Sequence, residues 1–143
     1  MGSPISTQDA LIYIMVVMAA VDTAMKDEEL AQIGDLTRQL PVFAGFEQER
    51  LITVSRDCAS ILSSNDGLEN ILQVIEGTIP SNLADTAYAL AVDIAAADLG
   101  VRQEEIRFLQ LLRDRLGLDK LTCAAIERGA IARYRPLPDQ SAL

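Results

Sequence analysis

The chain has 143 residues, a formal charge of −9 and no histidine, and it is 50% apolar but only 4% aromatic. That length suits one domain, and the missing histidine excludes His-based triads and His metal sites. The negative field and the few aromatic rings argue against a nucleic-acid partner. They leave Leu, Ile, Val, Met and Ala to fill the core, a mixture that favours helix packed on helix.

Residues 1–5 read as a flexible N-terminus. The first helix is expected to start at Ser6 or Thr7, both good N-cap residues, and to run to Asp22. Gln8 and Asp9 fall in its first turn, where negative charge suits the helix dipole. The run ALIYIMVVMAAV at 10–21 is shorter than the roughly 20 residues a bilayer span needs. No Lys or Arg precedes it, so it lacks the positive region of a signal peptide. It reads as a buried core helix in a cytoplasmic protein, with Met15, Met18 and Met25 as core filler.

The second helix, KDEELAQIGDLTRQL, carries Leu30, Ile33, Leu36 and Leu40 on one stripe and stops at Pro41. A third is expected over 47–62, with Leu51, Val54, Cys58, Ile61 and Leu62 as its stripe. SSNDG at 63–67 is a turn, and a short helix follows from Leu68 to Glu76, with Gly77 at its end. Pro80, Ser81 and Asn82 open a fifth helix over Leu83–Asp98. The sixth ends at Gly117, and the seventh begins with Asp119 as its cap. Pro136 and Pro138 close the domain at 6–135, leaving 136–143 as a flexible tail. Cys58 and Cys123 sit in apolar helical contexts without a CxxC pairing, which reads as two core thiols in a reducing compartment.

Sliding the chain on itself by 76 positions aligns residues 9–40 with 85–116 without a gap. The identical pairs include Asp9 with Asp85, Asp22 with Asp98, Glu28 with Glu104, Glu29 with Glu105, and Leu36 with Leu112. The apolar identities follow the core stripe. The acidic ones gather where one helix ends and the next begins. Repeats of this kind bury their apolar faces against each other. The expected fold is all-α, a compact bundle of about seven helices with two helical hairpins related by a pseudo-two-fold axis.

The repeated Asp…Glu-Glu loop has two readings. In the first, Lys26 and Arg102 take N-cap positions and Glu29 and Glu105 reach back to the cap N–H, half of a capping box. In the second, Asp22, Glu28 and Glu29, and Asp98, Glu104 and Glu105, supply hard oxygen ligands for Ca²⁺ or for Mg²⁺ or Mn²⁺. Calcium takes roughly six to eight oxygens, so such a site would draw on Asp27 or Asp93 or on both loops. The second copy, with Gly100 and Asp93 nearby, is the better candidate.

The segment AAADLGVRQEEIRFLQLL resembles the signature of the tellurite-resistance TerB-like family, and AAVDTAMKDEELAQIGDL is a second, more degenerate copy. In that signature a Gly follows the Asp, where this chain has Thr23 and Leu99. The resemblance implies an all-helical, cytoplasmic, non-enzymatic domain linked to tellurite resistance and stress response. It also implies divalent-metal binding or signalling through Asp22, Glu28, Glu29, Asp98, Glu104 and Glu105. The alternative is an acidic protein–protein interaction module with no metal role. The negative charge favours a basic protein surface as partner, and the sequence leaves monomer or homodimer open.

Overall fold

The computed structural model describes residues 5–20, 26–97 and 103–138. Among them it forms seven α-helices: α1 (Thr7–Ala20), α2 (Asp27–Gln39), α3 (Leu51–Leu62), α4 (Gly67–Thr78), α5 (Ala84–Ala97), α6 (Gln103–Leu116) and α7 (Lys120–Arg133). No strand occurs among the described residues.

α1 starts where its cap residue predicts, with Ser6 Oγ accepting the Asp9 N–H at 3.0 Å. Every residue from Ala10 to Ala19 is buried. A helix apolar on all sides has no single face to aim at a core and is stable only at the centre of one. α5 is its partner there, with Tyr88, Leu90 and Val92 buried and Ala87, Ala91 and Ala95 at four-residue steps. α3 and α4 close on α1, α6 and α7 close on α5, and α2 touches both central helices.

The stripes of the outer helices follow the expected spacing. Ile33 of α2 and Leu51, Val54 and Cys58 of α3 are buried, while Leu30, Leu36, Leu40, Ile61 and Leu62 pack partly against the same core. Asp119 caps α7, its Oδ1 accepting the Thr122 N–H at 2.7 Å, and Gly117 ends α6 at a φ of 69°.

Two local expectations are corrected. The helix expected over 47–62 begins with a 3₁₀ turn at Gln48–Arg50, and a second turn at Pro41–Phe43 precedes it. Phe43 and Phe46, from this stretch between helices, are core residues that meet edge to face at 6.3 Å. Gly77 does not end α4. The helix continues to Thr78 and is broken at Ile79, which is extended because the residue before a proline disfavours the helical region.

The sequence repeat survives as structure. The 76-position offset carries α1 onto α5 to within one residue and α2 onto the start of α6. The packing extends it beyond a hairpin: α3 lies against α1 as α7 lies against α5. Each unit is therefore three helices, with α4 inserted between the units.

Candidate functional site

The four described candidates at the repeated helix starts are Glu28, Glu29, Glu104 and Glu105; Asp22 and Asp98 lie outside the described residues. Lys26 precedes α2 in an extended conformation, and its N–H donates to Glu29 Oε1 at 2.8 Å. This is the glutamate half of a capping box. The other half is impossible, since a lysine ammonium has no lone pair to accept with. Glu29 thus helps to start its helix. Glu28 is exposed beside it, and both line a cleft with Lys26, Gln32, Ile94 and Ala97 between the start of α2 and the end of α5.

The second copy buries the inner glutamate of the matching pair more deeply. Glu105 is 4% exposed, whereas Glu104 is exposed and lines a shallow depression with Ile106, Arg107 and Gln110. Asp93, expected to assist a site there, has its Oδ1 held by Arg133 at 2.7 Å, and its backbone oxygen accepts from Gln32 at 3.4 Å. Asp27 is exposed and lines a groove against α3, not the Glu28 cleft.

Chemically, the donors among the described residues are fewer than a hard cation takes. Calcium takes about six to eight oxygens. Glu29 has one oxygen engaged with a backbone N–H, and the Lys26 ammonium shares its cleft. Among the described residues, no three acidic, cysteine or histidine side chains gather as ligands.

The thiols and phenols are equally committed. Cys58 is fully buried, its Sγ donates to the Tyr13 carbonyl at 3.7 Å, and burial pushes its pKa up to about 12. Cys123 is buried and also raised, again chiefly by burial, and neither cysteine is in a disulfide. Tyr88 donates to Glu127 Oε2 at 2.5 Å, and burial together with that carboxylate raises its pKa. Thiols held protonated at neutral pH are poor nucleophiles.

Two surface features escaped the sequence reading. α2 and α3 leave an open groove with Leu30, Ala31, Gly34, Ile52, Ser55 and Ala59 along it. Ile52 is 52% exposed at its edge, and the buried Ser55 Oγ has no hydrogen-bond partner among the described residues. α7 carries exposed Leu121 and Ile131 on its outer side. The signal for the second was present: Ala124, Ala125, Ile131 and Ala132 lie off the Cys123–Ile126–Ala130 stripe.

These features define an all-helical bundle with a capped acidic start to α2 and partly apolar outer helices. No helix among the described residues is long and apolar enough to cross a membrane. No protein-family model matches the chain, and neither does any curated protein or solved structure.

Proposed function

We propose that this chain is a non-enzymatic, TerB-like recognition module that receives an amphipathic helix of a protein partner in the groove between α2 and α3. The observation that carries the reading is the groove itself. Leu30 and Ile52 form apolar walls, Ala31 and Gly34 keep the α2 side low, and Ser55 offers a buried hydroxyl with no partner among the described residues. An α2 of 13 residues runs about 20 Å, room for a few turns of a guest helix. Grooves of this kind take amphipathic helices through apolar anchors three to four residues apart. Asp27 at one end and Arg38 and Arg56 along the rim would orient the guest.

The test is quantitative co-purification with the wild-type chain and with Ile52→Glu. The reading expects a protein retained by the wild type with or without chelator, and lost by the variant at unchanged melting temperature. Equal recovery by both chains overturns it.

The second reading is a divalent cation bound at the start of α2, in the stress-response setting that the TerB resemblance implies. It is favoured by Glu28, Glu29 and Gln32 lining one cleft and by repetition of the glutamate pair. It expects a higher melting temperature with Ca²⁺, Mg²⁺ or Mn²⁺, abolished by Glu28→Ala or Asp22→Ala. No shift at millimolar metal rules it out.

A further inference from the structure

α7 divides cleanly into two faces. Toward the core it presents Cys123, Ile126, Glu127 and Ala130, with Arg133 reaching Asp93. Away from the core, every residue at helical spacing is exposed: Leu121, Ala124, Ala125, Ile131 and Ala132, interleaved with Lys120 and Arg128, and with Arg135 just past the end. Leu121 is 81% exposed and Ile131 is 51% exposed. Glu127, at the margin of this face, is engaged by Tyr88 and Arg113, and no other of the chain's 21 acidic residues lies within α7. Lys120, Arg128 and Arg135 form no ion pair among the described residues, whereas Arg133 at the inner edge of α7 pairs with Asp93.

A solvated helix face on an acidic protein is ordinarily polar and mixed in sign. Here it is apolar and basic. Leu121 and Ile131 stand ten residues apart, about 15 Å along the axis, with alanines between them. The alanines form a low saddle between two apolar posts. Small residues let a second helix come close. They offer little to a bilayer, whose interface is held by long aliphatic or aromatic side chains. Nor does the face suit its own copy, since a two-fold pairing would set three cations against three.

We infer that the outer face of α7 is a docking surface for an acidic amphipathic helix of a partner protein. A large apolar side chain of the guest sits on the alanine saddle, and its flanking carboxylates meet Lys120, Arg128 and Arg135. The surface is separate from the α2–α3 groove and does not depend on it.

The chain's net charge makes the test severe, because −9 by itself attracts basic peptides and repels acidic ones. Two synthetic peptides of about 20 residues, long enough to hold helical form, share one Leu/Ile stripe. One carries glutamates on its flanks and the other lysines. Fluorescence anisotropy against the full chain is expected to show the glutamate peptide bound at least about tenfold more tightly, weakening as salt is raised. Leu121→Asp and Arg128→Glu are each expected to remove that preference, with Arg128→Glu shifting it toward the lysine peptide. Ile52→Glu is expected to leave it unchanged. All three positions are exposed, and circular dichroism melts verify that the variants fold.

Equal affinity for the two peptides overturns the inference. So does binding that survives Leu121→Asp but is lost in Ile52→Glu, which would seat the peptide between α2 and α3. Phosphatidylserine vesicles that bind through Leu121 while the glutamate peptide does not would make the face a membrane contact. Dimerisation abolished by Leu121→Asp, without peptide binding, would make it a self-contact.

Discussion

Arg133 Nη2 lies 2.7 Å from Oδ1 of Asp93, joining α7 to α5 through a carboxylate whose side chain is only 16% exposed. The guanidinium itself is 59% exposed, so the pair sits at the edge of the core. The same α5–α7 contact contains Tyr88 donating to Glu127, which Arg113 approaches at 3.8 Å. α7 is therefore fastened by polar contacts as well as by Cys123 and Ala130.

Arg133→Ala should destabilise the chain by about 1–2 kcal/mol, because it leaves a mostly buried carboxylate without its charged donor. A double-mutant cycle with Asp93→Ala in urea is the measurement. A coupling energy above about 0.5 kcal/mol is expected, larger than many fully exposed pairs give. Additive single mutants would show that the pair does not hold α7.

Glu29→Ala should cost about 0.5–1 kcal/mol, the value of half a capping box, and Glu29→Gln should recover part of it. Glu28→Ala, exposed and one position earlier, should fall within about 0.5 kcal/mol of wild type. Urea midpoints without added metal make the comparison. An equal loss at both positions would contradict capping as the role of Glu29.

Stability should fall on the alkaline side. The Cys58 thiol, ordinarily near 9.0, is pushed up to about 12 by burial. Between those values the unfolded chain has released a proton that the folded chain still holds. The contribution of the neutral thiol is thus complete below pH 9 and lost as pH rises toward 12. Tyr13, Tyr88 and Cys123 are raised as well and act in the same direction. Urea midpoints taken from pH 7 to pH 11 should decline, and Cys58→Ala should flatten the slope. In native protein at pH 8, Cys58 should react with a maleimide only as fast as the chain opens.

On the acid side the sign reverses. The backbone N–H of Thr122 holds Asp119 below its usual range, and Arg115 does the same for Glu69. Their contributions are present above the ordinary values of 3.8 and 4.5 and lost as pH falls through the depressed ones. Asp119→Asn keeps an acceptor for the cap but removes the charge, so its acid melting curve should be shallower than wild type. An unchanged curve would remove Asp119 from the account.

Gly67 opens α4 directly behind Asp66, which adopts a left-handed φ of 55°. A Cβ at position 67 would stand 2.1 Å from the Leu62 carbonyl oxygen, a backbone atom that cannot swing aside. Gly67→Ala should therefore destabilise by about 1–3 kcal/mol, as overpacking does. A thermal melt showing no loss would mean that the α3–α4 turn reshapes freely.

Much of this fold was legible in the residues themselves. Seven helices, the buried α1 run, the stripes of α2 and α3, the Ser6 and Asp119 caps and the Lys26–Glu29 contact all follow from spacing and cap chemistry. These are interactions within a few residues of each other, and one-dimensional order records them directly. Gly77 misled because a glycine signals a helix end only where the backbone turns left-handed, and here Pro80 sets the end instead.

The tertiary structure alone decided which helices meet. It made the repeat a three-helix unit, brought Phe43 and Phe46 from between helices into the core, and gave the Asp93 carboxylate to Arg133 forty residues away. It also sorted apparently equal side chains: Asp9 pairs with Arg50 at 2.9 Å, while its repeat counterpart Asp85 accepts its neighbour's N–H and pairs with no cation among the described residues. Local sequence sets what a helix can present on each face. Which face is covered, and which carboxylate finds a cation, depends on packing partners distant in the chain.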